Sequence, residues 1–69
     1  MKLKEAIKEA KKLGFNWVGV DNYSLFIYAY QDKPKKSEAS WVARSPFEAI
    51  GEYSGSKNWK DTLRKVPHV

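Results

Sequence analysis

The residues of this sequence that are best suited to chemistry are aromatic side chains and lysines. Two aromatic-rich stretches, 15–20 and 24–30, are followed by a lysine-rich segment, 31–38. Aromatic rings on a sheet stack on the bases of single-stranded nucleic acid, while neighbouring cations follow its phosphates. The same residue types anchor and steer contacts between proteins. The sequence therefore predicts a binding surface rather than a reaction centre.

Groups suited to catalysis or metal binding are sparse. The sequence contains no cysteine, and its one histidine, His68, follows a proline near the end of the chain. The carboxylates form no pair or motif typical of a metal site or an acid–base dyad, and Asp21 and Asp32 are assigned to turns. We therefore expect a protein that is not an enzyme, with no catalytic, metal-binding or cofactor-binding residues and no cofactor.

Composition and charge limit the class of protein and of partner. The 69 residues suffice for one domain, and a hydrophobic content of 42% is too high for a disordered chain. A net charge of +5 favours acidic partners, although solubility alone explains it equally well. No apolar run is long enough to span a membrane, and the N-terminal residues lack the continuous apolar stretch of a secretory signal. We expect a cytoplasmic monomer or homodimer with no membrane partner.

The elements that position these residues begin with an amphipathic helix. Its apolar residues recur at helical spacing, and Gly14 is placed to end it. These apolar residues are Leu3, Ala6, Ile7, Ala10 and Leu13. The opposite side carries a lysine stripe, made of Lys4, Lys8, Lys11 and Lys12. Because lysines four residues apart repel each other, the stripe indicates either a partner-binding face or a solvated one.

The two aromatic stretches predict a β-hairpin that turns at Asp21 and Asn22. Side chains alternate between the two faces of a strand, so each face has its own composition. One face is aliphatic and comprises Val18, Val20, Leu25, Ile27 and Ala29. The other is aromatic and comprises Phe15, Trp17, Phe26, Tyr28 and Tyr30. We expect the helix to cover the aliphatic face.

The second half of the chain is predicted to hold a loop at 31–38 and a third strand at 39–44. The Ser45–Glu48 segment has the signature of a helix start and predicts a short helical turn that Gly51 ends. An edge strand over 50–53 is the alternative. Near the C-terminus, the spacing of Trp59, Thr62, Leu63 and Val66 predicts a short helix that Asn58 caps and Pro67 ends.

The predicted fold class is therefore α+β. An N-terminal amphipathic helix packs on an antiparallel sheet of three strands, or four with the edge strand, and a short C-terminal helix follows. Residues 1–69 form a single small domain in which 67–69 are a frayed tail.

The candidate partner-binding residues come from the lysine stripe, the aromatic face and the cations near it. They are Lys4, Lys8, Lys11, Lys12, Trp17, Tyr28, Tyr30, Lys35, Lys36, Trp41 and Arg44. Two alternatives remain open. Trp59 and Leu63, together with Phe47 and Tyr53, cover the aromatic face and make it a second core, or a homodimer buries part of it.

The string Gly-Ser-Lys-Asn-Trp-Lys-Asp-Thr-Leu at 55–63 resembles the end of small bacteriophage and prophage accessory proteins. The similarity extends loosely to Gly14–Val18, Tyr28–Tyr30, Lys33–Pro34, Trp41 and Gly51–Tyr53. Such proteins share no established activity, so the resemblance implies a setting in a bacterial host. The first hypothesis is binding to a host protein with an acidic surface. The alternative is a nucleic-acid-binding module that uses the aromatic face on single strands or the lysine stripe on a duplex backbone.

Overall fold

One α-helix covers one face of a four-stranded antiparallel sheet in the computed structural model, which describes residues 1–68. The elements are α1 (Leu3–Leu13), β1 (Trp17–Val20), β2 (Phe26–Tyr30), β3 (Lys35–Lys36), β4 (Trp41–Val42), β5 (Phe47–Glu52), a 3₁₀ turn (Trp59–Asp61) and β6 (Arg64–Lys65). The sheet has the order β5-β2-β1-β6, and β3 and β4 form a separate hairpin. The predicted α+β class and the N-terminal helix are confirmed.

The helix α1 follows from its sequence pattern. Ala6 and Ala10 are fully buried against the sheet, because small side chains let the helix approach the strands closely. Gly14 ends the helix with φ at 83°, a left-handed conformation that glycine adopts at little cost. Leu13 was predicted to share the apolar face but is 48% exposed, since it lies at the very end of the helix.

The hairpin of β1 and β2 has the predicted faces. Val18 pairs with Ala29 and Val20 pairs with Ile27, and all four are buried beneath α1. Two predictions for the edges of the hairpin are wrong. Phe15 packs against this aliphatic core instead of joining the aromatic face.

Leu25 is the second departure, because it belongs to the turn and not to the aliphatic face. The turn is longer than predicted: the Leu25 N–H donates to the Asp21 carbonyl at 3.1 Å, and the next ladder bond runs from the Asp21 N–H to the Phe26 carbonyl. Leu25 therefore has a positive φ of 59° and a side chain that is 56% exposed. Asp21 and Asn22 were expected to supply the positive φ.

The segment after the hairpin does not add a third strand to the main sheet. Its central residues form β4, which pairs only with β3, so Lys36 lies opposite Trp41 and Lys35 opposite Val42. The predicted loop at 31–38 thus contains half of a small hairpin. We call this pair of strands and its loop the basic hairpin, residues 33–44.

The predicted helical turn after Ser45 is wrong. The alternative, an edge strand over 50–53, is right about the secondary structure, but the strand spans Phe47–Glu52. Strand β5 pairs with β2 along its whole length, with a bulge opposite Ile27 and Tyr28. The Ser45 hydroxyl accepts a hydrogen bond from the Asp32 N–H at 2.9 Å instead of capping a helix. Strand pairing with β2 therefore outweighs the local helix signal.

The predicted C-terminal helix is also wrong beyond its first turn. Asn58 caps as expected, since its Oδ1 accepts a hydrogen bond from the Lys60 N–H at 3.0 Å. The chain then leaves the helical path, and β6 pairs with β1. At the end, a ring nitrogen of His68 lies 3.1 Å from the Phe15 carbonyl. The frayed tail was predicted for 67–69, and its last residue, 69, is outside the described residues.

Candidate functional site

The aromatic face of the sheet lies opposite α1, and the basic hairpin covers one half of it. Gly19, which has no side chain, leaves room there for the Trp41 indole: a Cβ atom at Gly19 would lie 3.1 Å from Trp41 Nε1 and 3.7 Å from Leu63. The ring of Trp59, which is 8% exposed, meets the Trp41 ring edge-on with centroids 5.6 Å apart. The second-core alternative is thus right for Trp59 and Leu63.

The other half of the aromatic face stays partly open. Phe47 joins Tyr28 and Tyr30 there, with ring centroids 5.9 Å and 6.3 Å away. Tyr30 is almost fully buried, Tyr28 is half-buried, and Phe47 is 55% exposed. Tyr53, by contrast, packs against the aliphatic core on the other side of the sheet. The exposed ring of Phe47 therefore lies beside the more buried rings of Tyr28 and Tyr30.

A hollow of about 260 Å³ lies between these rings and the basic hairpin. We call it the aromatic pocket, and it is lined by Asp21, Tyr28, Tyr30, Trp41, Val42, Ala43 and Phe47. Asp21 is the only lining residue with a formal charge. The pocket is therefore an aromatic site with a single carboxylate.

The Asp21 carboxylate also holds the turn between β1 and β2. Its Oδ2 accepts hydrogen bonds from the Tyr23 N–H, the Ser24 N–H and the Ser24 hydroxyl at 2.9–3.1 Å. Its Oδ1 has no hydrogen-bond partner within residues 1–68. One oxygen of this half-buried group thus remains available as an acceptor.

A second hollow, of about 200 Å³, adjoins the aromatic pocket and shares Val42 with it. We call it the basic hollow, and it is lined by Asp32, Lys33, Lys35, Val42, Arg44 and Ser45. Its formal charges sum to +2, so it favours an anion. The Lys33 ammonium also lies 5.5 Å from the centre of the Trp17 ring, in a cation–π contact that holds this cation near the aromatic face.

The pKa of Tyr30 reflects the character of the aromatic pocket. Burial, the negative charge of Asp21 and the neighbouring Tyr28 raise the pKa of the Tyr30 hydroxyl from 10.0 to about 12. All three disfavour the anionic form of the phenol. Tyr30 therefore stays a neutral hydroxyl over the whole physiological range.

We expect Tyr30 to ionise well above the ordinary pKa of a tyrosine, near pH 12, which tyrosinate absorbance measures against pH. The unfolded chain releases this proton near pH 10 and the folded chain near pH 12. The stabilising contribution of Tyr30 is therefore complete below pH 10 and is lost as the pH rises to 12. Tyr30→Phe is expected to remove a component of the titration near pH 12. If the component that Tyr30→Phe removes from the folded protein lies near pH 10 instead, the assignment is contradicted.

The structure divides the candidate residues between opposite sides of the sheet. Trp17, Tyr28, Tyr30, Trp41, Lys35, Lys36 and Arg44 belong to the aromatic face and the basic hairpin. The lysine stripe, Lys4, Lys8, Lys11 and Lys12, is exposed on the outer side of α1. The two groups therefore cannot contact one small ligand together.

The candidate residues chosen from the sequence omit four that line the aromatic pocket: Asp21, Val42, Ala43 and Phe47. Asp21 was assigned to the turn, where it is found, but it also lines the aromatic pocket. Phe47 was assigned to a helical turn and, in the second-core alternative, to the cover of the aromatic face. It does lie on that face, but it is the most exposed ring of the pocket. The alternation of Phe47 and Ala49 would have placed both on the aromatic face, had the edge strand been extended to residue 47.

Within the part of the chain that the structure describes, no helix has the length and apolar character needed to cross a membrane. Residues 1–68 also contain no group of three or more His, Cys, Asp or Glu side chains arranged to hold a metal ion.

Comparison of the chain with protein-family models, with curated proteins and with solved structures found no match.

Proposed function

We propose that this chain is a non-catalytic binding protein that holds single-stranded nucleic acid on its aromatic face. The observation that carries the proposal is the adjacency of the aromatic pocket and the basic hollow, which share Val42. A nucleotide unit needs an aromatic surface for its base and, a few ångströms away, a cationic surface for its phosphate. The described residues offer both on one side of the sheet.

Lysine and arginine residues around the basic hollow contribute the electrostatic part of binding. Lys33, Lys35 and Arg44 line the hollow, and Lys36 follows on the same strand as Lys35. All four side chains are exposed. Phosphate neutralisation releases counterions, so binding should weaken as the salt concentration rises.

We expect Phe47→Ala to weaken binding to a mixed-sequence single-stranded oligonucleotide at least about fivefold, because a stacked base contributes roughly 1–3 kcal/mol. The measurement is quenching of tryptophan fluorescence during titration at about 50 and about 200 mM salt. Since Phe47 is 55% exposed, the variant should remain folded. Tyr23→Ala is the matched control, because its ring is 74% exposed and lies outside the aromatic pocket.

Two results would count against this function. If a folded Phe47→Ala protein binds the oligonucleotide as tightly as the native protein, no base stacks on Phe47 in the aromatic pocket. Binding that anisotropy of a labelled oligonucleotide detects at the lower salt without quenching, and that disappears entirely at the higher salt, would indicate general charge attraction only.

Binding to an acidic surface of a host protein is the second candidate function. The turn between β1 and β2 favours it, because Tyr23 is 74% exposed and Leu25 is 56% exposed at its tip. The backbone of Leu25 is also in the left-handed region, which costs a non-glycine residue about 1 kcal/mol. The exposed lysines of α1 would steer such a partner. The resemblance to phage and prophage proteins predicts a bacterial host for either function.

A substitution at Leu25 distinguishes protein binding from oligonucleotide binding. Replacing Leu25 by asparagine, which tolerates a positive φ, should leave the fold and oligonucleotide binding unchanged. If the protein captures one host protein at low salt and Leu25→Asn abolishes that capture, the second function is supported. If Leu25→Asn retains the capture, the turn is not the contact.

A further inference from the structure

The aromatic pocket has a polar character that distinguishes between bases. Its one charged group is Asp21, whose Oδ1 makes no hydrogen bond within residues 1–68, whereas Oδ2 accepts the hydrogen bonds of the turn. A carboxylate oxygen that makes no hydrogen bond is stabilised by ligands that bring N–H groups to it. It repels ligands that bring carbonyl oxygens or ring-nitrogen lone pairs.

The four bases differ at the edge that would meet this carboxylate. Guanine presents two neighbouring donors, N1–H and the 2-amino group. Uracil and thymine present one N3–H flanked by two carbonyl oxygens. Adenine and cytosine present one amino group next to a ring nitrogen with a lone pair. Only guanine therefore offers donors at both adjacent positions, and the rings around the pocket accept its large π-surface.

The dimensions and the neighbouring charge fit one nucleotide. At about 260 Å³ the aromatic pocket is smaller than the roughly 300–1,000 Å³ of sites for drug-sized ligands. The basic hollow begins at Val42, which both hollows share, and it adds Lys35 and Arg44 for a phosphate. The second hollow therefore offers a cationic surface for a phosphate beside a base held in the first.

We propose that the aromatic pocket selects guanine, with Asp21 accepting hydrogen bonds from guanine N1–H and from the 2-amino group while Tyr28 and Phe47 contact the base. This inference rests on the proposed function, because it assigns base selectivity to the same face. Asp21 then has two roles, since one carboxylate oxygen orders the turn and the other binds the base.

The test titrates the intact protein with guanosine, inosine and uridine monophosphates and follows tryptophan fluorescence, because Trp41 lines the pocket. Inosine is the matched ligand, since it lacks only the 2-amino group of guanosine. Hydrogen bonds to a charged group predict affinity for guanosine monophosphate at least about tenfold above that for uridine monophosphate, with inosine between them.

The matched variant is Asp21→Asn, which keeps the size of the side chain and an oxygen for the turn but removes the charge. We expect it to reduce the guanosine-to-uridine ratio to within about twofold while circular dichroism stays native. An Asp21→Asn protein that keeps the full preference would overturn the inference. If this variant fails to fold, the comparison of guanosine with inosine in the native protein decides the question, and equal affinities would overturn it.

Failure of the inference and failure of the proposed function give different results. Oligonucleotides that bind with no preference for guanine would overturn the guanine pocket and leave single-strand binding intact. Mononucleotide binding with guanine preference, without oligonucleotide binding, would support the pocket and overturn the proposed function. No quenching by any nucleotide would overturn both.

Discussion

Reversing the charge of two residues at the basic hollow, with Lys35→Glu and Arg44→Glu in one protein, is expected to lower affinity for a single-stranded oligonucleotide on the order of 100-fold or more at about 0.1 M salt. Each lost phosphate contact removes about 0.7 from the slope of log K against log salt, which is about fivefold in affinity at that concentration. The two new carboxylates add repulsion. Anisotropy of a labelled oligonucleotide, measured over a salt series, gives both quantities.

The matched control reverses two charges on the other side of the sheet. Lys4→Glu and Lys8→Glu change the net charge by the same amount and are exposed on α1. They should leave the salt slope unchanged and lower the affinity only severalfold, because charges beyond a Debye length of about 10 Å are largely screened. Equal losses in the two proteins would show that net charge, and not the basic hollow, governs binding.

Replacing Thr62 by valine is expected to lower the free energy of unfolding by about 1–3 kcal/mol. Thr62 is fully buried, and its Oγ1 accepts a hydrogen bond from the Val20 N–H at 2.9 Å and donates one to the Trp59 carbonyl at 2.6 Å. Valine keeps the shape but leaves the Val20 N–H without a partner. A chain of 69 residues has a total stability of about 3–10 kcal/mol, so the loss is a large fraction.

Urea unfolding measures this loss, with an unchanged denaturant slope as the check on a two-state transition. Thr62→Ser is the control, because it keeps the hydroxyl and loses one methyl group, for a cost of about 1 kcal/mol. Valine should therefore be the more damaging replacement. If the valine protein is as stable as the native one, the hydroxyl does not join the 3₁₀ turn to β1 in the way described.

The part of the fold that sequence reasoning predicted is the part governed by local periodicity. The apolar spacing of α1, the αL position of Gly14 and the alternation along β1 and β2 each act within a few residues. The register that pairs Trp17 with Tyr30 follows from the two faces, since a shift by one residue would bury the aromatic set under the helix.

The mispredicted elements are those whose secondary structure depends on hydrogen bonds to residues that are distant in the sequence. The Ser45–Glu48 segment has every local feature of a helix start, but the Ser45 hydroxyl bonds to Asp32 and the following residues pair with β2. Near the C-terminus, Trp59, Thr62 and Val66 are all buried at helical spacing, although the Val66 N–H bonds to the Asn16 carbonyl instead of its own helix. The local spacing of residues gives no information about these distant hydrogen-bond partners.

The candidate site was predicted in composition but not in arrangement. Trp17, Tyr28 and Tyr30 do share a face, and the cations of the basic hairpin do lie beside it. The lysine stripe lies on the opposite side of the sheet from the aromatic face, because α1 packs on the aliphatic face. The position of the stripe could be predicted only after α1 had been placed there. Asp21 was missed as a pocket residue because its evident turn role accounts for its presence in the sequence.

The most direct test of single-strand binding on the aromatic face is a map of amide chemical shifts in ¹⁵N-labelled protein as a short single-stranded oligonucleotide is added. We expect the shifted amides to lie in β2, in residues 31–47 and in the turn that holds Asp21, while those of α1 stay in place. Shifts confined to α1 and its lysine stripe would contradict it, as would a spectrum that does not change at low salt.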